Sequence, residues 1–416
     1  MKSVIFGFFL VLASTSLYSQ EKSASEPRST IVPATIDLNR LIVEVDVLLP
    51  NRTWQSVRAW VDNGNPNLEM SRRLANQLGL NITCGEQECS APAPPAIAIG
   101  GMTIPLAEIR DIKIPLRPVN AAAVLAVGMN TEINLPSTVL RHYDVLVDFP
   151  EHKFSIGQPG TLQFRGASGK VQINAENGLI QVPSQIEKKK YNLALDLGSS
   201  ISFLSDDLFA ALATAHPDWP HITGAIGPAN MWGAPDEASW NLMRIDRLQY
   251  GPLFLTDVAF VSFPKAFRDY FEKRAGIATA GLLASDALLN YRVGLDYAHS
   301  TVYFDIGRTF KFPAFDVVGL VLRPGEDGQY TILGAAAFEG KPSAESVQPG
   351  DHLLAVNDIP VQGVTMGQVW SMLGGTPGQE RKLTIERSGK QFVVAATVQH
   401  FLGEVPEDTE KKKKKK

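Results

Sequence analysis

The sequence predicts a mainly β protein: two similar β-barrel-like lobes in tandem, related by duplication, followed by a third β-rich unit. Three observations predict it. A strand-like segment ending in Asp-x-Gly occurs twice, a strand–turn–strand pattern closes each half, and the intervening chain reads as short apolar runs broken by Gly and Pro. With 416 residues, 44% of them hydrophobic and 20% charged, the chain is long enough for two or three domains and apolar enough to bury a core.

From the N-terminus, residues 1–19 read as a signal peptide. Lys2 supplies the positive start, residues 4–13 an apolar stretch, and Ser19 a small residue at a cleavage point. The apolar stretch is too short to span a bilayer comfortably, which weighs against a retained anchor. No cysteine follows it to carry a lipid. Residues 20–30 read as a linker. The mature chain is therefore expected in the periplasm or outside the cell, without a membrane span. There the protein's two cysteines, Cys84 and Cys89, are expected to close one small disulfide loop; two free thiols are the alternative.

The first half, residues 31–165, carries Val57-Arg58-Ala59-Trp60-Val61 running into Asp62-Asn63-Gly64. The second, residues 166–310, carries Tyr191-Asn192-Leu193-Ala194-Leu195 running into Asp196-Leu197-Gly198. Helical spacing follows each, over residues 70–78 and 204–212. Residues 143–157 close the first half and residues 291–307 the second, each a β-hairpin in outline. Matching order with modest changes in length is what two copies of one lobe show, since surface loops tolerate insertion.

One Asp-x-Gly is ordinary turn chemistry. Two of them, at matching places in two lobes, allow a specific one. A pseudo-twofold arrangement brings two carboxylates face to face, where they cannot both ionise cheaply and share a proton. The ionised carboxylate takes a proton from water while the protonated one polarises a carbonyl. Gly64 and Gly198 let the backbone turn tightly at the carboxylates.

On these residues the two halves resemble the lobes of a bacterial retropepsin- or pepsin-like aspartyl protease, whose signature is apolar-Asp-Thr/Ser-Gly-Ala/Ser/Thr. Asp62-Asn63-Gly64-Asn65 and Asp196-Leu197-Gly198-Ser199 match it in part, residues 281–297 resemble the late segment of bacterial members, and Val127-Gly128 is the weaker counterpart in the first half. The resemblance covers residues 31–310. It implies an aspartic endopeptidase with Asp62 and Asp196 catalytic, acting on peptides or proteins without a cofactor. It also implies that the Thr or Ser after each aspartate ties the lobes together. Here those places hold Asn63, which can donate and accept, and Leu197, whose side chain does neither. Ser199 and Asn65 are the candidates to bond the outer oxygens of Asp196 and Asp62. A catalytically inactive relative that binds peptides is the alternative. Asp148 and Asp296, inside the hairpins, are expected to be structural. Residues 96–115, around Gly100-Gly101, are a candidate flap or an ordinary surface hairpin. Residues 228–240 are a candidate cleft lining, with core the alternative for Trp232 and Trp240.

The third unit, residues 311–402, combines a β-rich start, Lys341-Pro342-Ser343-Ala344, Pro349-Gly350-Asp351, Leu353-Leu354-Ala355-Val356-Asn357-Asp358, a helical stretch over residues 366–372 and two final strands. This resembles a bacterial PDZ domain. The resemblance implies binding of extended C-terminal peptides along a strand edge, with the carboxylate held by the loop Val318-Gly319-Leu320. A PDZ fold that merely braces the lobes is the alternative. Residues 403–416 read as a disordered tail.

Other signals point elsewhere. The formal charge is −4, from 39 basic and 43 acidic residues; setting aside Lys2 and the run Lys411 to Lys416 leaves 32 bases against the 43 acids. An acidic body makes no case for nucleic acid as a partner. Neither His-Glu-x-x-His nor a close Cys/His cluster occurs, so no metal is expected, and Gly-x-Ser-x-Gly and the P-loop are missing.

Overall fold

The computed structural model describes residues 27–86, 88–115, 128–263, 265–307, 315–325, 327–338 and 341–403. The expected signal peptide, Val127 and the lysine tail lie outside the described residues. The protein is mainly β.

The first aspartate strand, Trp54–Asp62, pairs antiparallel with Arg40–Leu48, from Ile42 opposite Trp60 to Leu48 opposite Trp54. Strand alternation sends Leu41, Val43, Val45 and Val47 to one face, where they meet Val57, Ala59 and Val61 in a dry core. The strand Ile133–Pro136 then runs parallel to it, with Pro136 opposite Asp62. The second half repeats this: Gly281–Ala284 runs parallel to the second aspartate strand, Lys189–Asp196, with Ala284 opposite Asp196.

The closing hairpins join the halves. Asp144–Asp148 pairs antiparallel with Tyr291–Asp296, Asp144 opposite Asp296 and Asp148 opposite Arg292, at the centre of a six-stranded sheet. Asp148 receives Arg292 Nε at 2.8 Å, and Asp296 receives the His299 backbone N–H at 3.1 Å. Both acids thus hold the sheet and its turns. An outer strand of this sheet, Ser29–Pro33, begins within the stretch expected to be linker; Ile31, opposite Ser155, belongs to a ladder.

The helices expected after the two aspartate strands follow their caps. Ser71 accepts from the Leu74 N–H at 3.0 Å and starts the helix Arg72–Gln77. In the second half the helix Asp206–Ala215 starts later than the periodicity suggests, because Ser202–Ser205 is a buried strand whose last residue is the cap. Of the two readings of the segment around Gly100-Gly101, the contacts favour the ordinary hairpin. Its hairpin, Ala96–Ile99 with Met102–Pro105, turns through Gly100 and Gly101, both at positive φ, and Thr30 Oγ1 donates to Gly100 O at 3.2 Å. Ile97, Ile99 and Ile104 lie in the core. The tip is braced on the strand Ser29–Pro33.

In the C-terminal unit, Leu320–Pro324 is an outer strand of a sheet that continues through Tyr330–Ala335, His352–Val356, Glu380–Arg387 and Lys390–Thr397. The helix Met366–Leu373 carries a capping box, Thr365 with Gln368. The unit is not separate from the lobes. Ala337 pairs with Thr223 of the second half. Asp37 of the first half receives Thr365 Oγ1 and, at 3.1 Å, the Gly367 N–H at the helix N-terminus.

Candidate active site

Each aspartate ends a buried strand, and the turn after it delivers the carboxylate toward the other lobe. The contacts are reciprocal. A Cβ on Gly64 would overlap the Asp196 carboxyl group, and a Cβ on Gly198 would lie 2.5 Å from Asp62 Oδ1. Neither glycine has a positive φ. The turn is tight, with the Asn65 N–H donating to Asp62 O at 3.3 Å, but the glycines are required for space rather than for φ: each is the floor on which the opposite lobe's carboxylate rests.

The link between lobes differs from the one the resemblance implies, and Asn63 is why. Its Nδ2 donates to Leu195 O at 2.7 Å and its Oδ1 accepts from the Leu197 N–H at 2.7 Å. One carboxamide, fully buried, does the work of a symmetric pair of hydroxyls by spanning the backbone on both sides of Asp196. Leu197 is released to pack in the core, while its C=O accepts from Ser285 Oγ at 2.8 Å. A further bond crosses in the same direction, from Trp60 Nε1 to Gly198 O at 3.0 Å.

The two carboxylates have different surroundings. Asp196 Oδ1 accepts from the backbone N–H of Gly198 at 2.9 Å and of Ser199 at 3.1 Å. The Ser199 hydroxyl, expected on Asp196, instead donates to Ile201 O at 2.8 Å; the backbone amide has taken its place. Asp62 Oδ2 accepts from Asn134 Nδ2 at 3.3 Å. Asn65 also lowers the Asp62 pKa by hydrogen bonding, and it donates to Glu69 Oε1 at 3.0 Å. Burial raises the Asp196 pKa to about 6, opposed by those two N–H groups. Burial pushes Asp62 well above the ordinary carboxylate range, helped by the charges of Asp196 and then Glu69. Backbone donors favour the ionised form of Asp196, while Asp62 has the side-chain amide of Asn134 at 3.3 Å.

Asn134 and Trp60 were not singled out from the sequence. Asn134 is a lone polar residue in the apolar run Ile133–Pro136, and a buried amide in such a run has to bond something; that was the available signal.

The remaining predicted residues lie elsewhere. Cys84 and Cys89 form a disulfide in a small hairpin, and Arg72 Nη2 points at both sulfurs. Val318, Gly319 and Leu320 do not form an open carboxylate loop. Val318 and Leu320 are fully buried, the Val318 N–H donates to Leu373 O at 3.0 Å, and the Leu320 N–H turns back onto Val318 O at 2.8 Å. Residues 228–240 form a seat for the C-terminal unit. Trp232 stacks on Phe203 with centroids 5.3 Å apart, and Trp240 meets both rings edge-on.

A groove of about 930 Å³ lies on the second lobe, lined by Tyr191, Arg268 and Glu272 among others; neither aspartate lines it. The carboxylates are 2% and 6% exposed, for Asp62 and Asp196 respectively. The pair is assembled and covered.

No family model matches the chain. Over 99 residues it is 34% identical to the tight junction protein ZO-3 of Homo sapiens, a stretch amounting to 23% of this chain and 10% of that protein; the chain thus spans about a tenth of that relative. Among solved structures it is similar to the aspartic proteinase from Irpex lacteus, at 11% identity and a TM-score of 0.40, covering 67% of this chain and 97% of that one. A likeness at that level carries nothing about chemistry.

Proposed function

We propose that the protein is an aspartic endopeptidase of peptides or proteins, with Asp62 and Asp196 as the catalytic pair. The observation that carries this reading is the reciprocal seating of each carboxylate on the other lobe's Asp-x-Gly glycine. In this mechanism Asp196, held ionised by Gly198 and Ser199, takes a proton from the attacking water. Asp62 donates its proton toward the carbonyl oxygen of the scissile peptide. Two carboxyl groups of raised and unequal pKa in one site suit one base and one acid. Neither step calls on a metal or cofactor. The apolar N-terminal stretch and the Cys84–Cys89 bond support an extracytosolic setting, in the periplasm or outside the cell.

The near-complete burial of both carboxylates favours a second reading, a peptide-binding protein that does not cut. In either case the edge strand Leu320–Pro324 is a candidate to take an extended peptide by strand addition. A diverse peptide library incubated from acid to neutral pH, with wild type, Asp62→Asn and Asp196→Asn, separates the readings. Cleavage by wild type that both variants lose is expected. Cleavage unchanged in the variants rules out the pair, and no cleavage by any form favours the binder.

A further inference from the structure

The strand face that carries the carboxylates shares an apolar cluster with the C-terminal unit. Side chains alternate along a strand, so Trp60 shares a face with Asp62, and Ala194 with Asp196. Trp60 and Ala194 are buried in one apolar cluster with Met129 and Met231 of the lobes and with Leu320, Leu322, Met366 and Leu373 of the C-terminal unit. Met231 reaches the dyad loop itself, its Sδ lying 3.2 Å from Ser199 Oγ. Its neighbour Asn230 reaches the other way. Asn230 Nδ2 donates to Leu322 O at 2.8 Å, and Asn230 Oδ1 accepts from the Leu322 N–H at 2.8 Å.

That paired bond is the one an added strand would make. Leu322 lies mid-way along the outer strand Leu320–Pro324, and its N–H and C=O face away from the neighbouring strand, where a peptide would dock. The side chain of Asn230 satisfies both. The opposite wall of the same groove is the helix Met366–Leu373, and the first lobe closes on it there. Gly128 sits so near Met366 and Pro324 that a Cβ on it would be 2.9 Å from Met366 Sδ. Asn130 Nδ2 donates to Gly363 O at 3.4 Å.

We infer that the C-terminal unit is a built-in gate over the Asp62–Asp196 pair, held shut because segments of both lobes fill the groove between its outer strand and its helix. The inference rests on the peptidase reading for its purpose but not for its geometry. Asn230 on Leu322 and Met231 on Ser199 are neighbours in one segment, so releasing the first loosens the second. An extended peptide that pairs with Leu322 displaces Asn230, and by linkage the open form binds such a peptide more tightly than the shut form.

The test uses the full chain carrying Asn230→Ala or Gly128→Glu. The first removes both bonds to Leu322; the second drives a carboxylate into the Met366 contact. Access to the pair is read without catalysis, by carbodiimide coupling of a small amine, with Asp62 and Asp196 quantified by mass spectrometry against the exposed Asp218. In wild type the pair is expected to couple far more slowly than Asp218. In both variants its relative rate should rise about tenfold or more, with faster amide exchange at Leu322 and faster peptide cleavage. Faster coupling without cleavage in any form sustains the gate and removes the peptidase reading. Unchanged coupling in a variant whose circular dichroism matches wild type overturns the gate, as does wild-type coupling as fast as at Asp218. Should one variant fail to fold, the other decides.

Discussion

Replacing Asn63 by alanine should do more damage than its single side chain suggests. The carboxamide is fully buried and makes two 2.7 Å bonds, to Leu195 O and from Leu197 N–H, across the seam between the lobes. Alanine offers nothing to either group. Each buried backbone group left without a partner costs about 1–3 kcal/mol, so the variant should lose about 2–6 kcal/mol. That is a large share of the roughly 5–15 kcal/mol that holds a typical domain folded. Urea unfolding followed by circular dichroism measures it, compared at equal denaturant slope. Asn63→Asp is the informative companion. Ionised, it still accepts from the Leu197 N–H but faces Leu195 O with an oxygen, so the loss should be greatest at neutral pH. Protonated, it regains a donor, and part of the stability should return in mild acid. An Asn63→Ala protein whose stability lies within about 0.5 kcal/mol of wild type would refute the idea that this residue ties the lobes, since two orphaned groups must cost more than that.

Other outcomes are expected. Gly64→Ala puts a methyl group into the Asp196 carboxyl and should lower cleavage by roughly 100-fold or more through misplacement, with the β signal in circular dichroism preserved. If cleavage survives, the pair is not seated as described. Stability should fall as pH rises from about 5 to above 7. Burial raises Glu237 from 4.5 to about 7 and Asp286 from 3.8 to about 7. Between the unfolded and folded values the folded state binds more protons, so raising the pH removes stability rather than adding it. Glu237 alone corresponds to about 3 kcal/mol at 1.36 kcal/mol per pH unit. Glu237→Gln should flatten the slope; a protein most stable at pH 8 would contradict this. Reducing the Cys84–Cys89 bond should cost no more than about 2 kcal/mol, because the loop it closes is short. Outright unfolding on reduction would show that the hairpin carries more of the first lobe than its size implies.

Much of the fold was legible because it is periodic. Alternation in Trp54–Asp62 and in Lys189–Asp196 marked strands, and Asp-x-Gly at the end of each marked equivalent points in two lobes. The paired hairpins predicted the halves but not that Asp144–Asp148 and Tyr291–Asp296 would be neighbours in one sheet. The hairpin around Gly100-Gly101 shows the limit. Its turn was readable, whereas its direction depends on Thr30, about 70 residues away in sequence. Asn63 shows another. Its capacity to donate and accept was evident, but that one side chain reaches both Leu195 O and Leu197 N–H depends on how closely the lobes approach.

By itself the sequence determined where the chain is extended, which face of each strand is apolar, and that two carboxylates end equivalent strands. Only the tertiary structure decided what covers those faces. Trp60 and Ala194 demand an apolar neighbour, and nothing local says that Met231 and the C-terminal unit supply it. The physical reason is that burial is non-directional. A side chain's hydrophobicity fixes that it leaves water but not whom it meets, and that choice belongs to shape and hydrogen bonding between distant segments, such as Asn230 on Leu322.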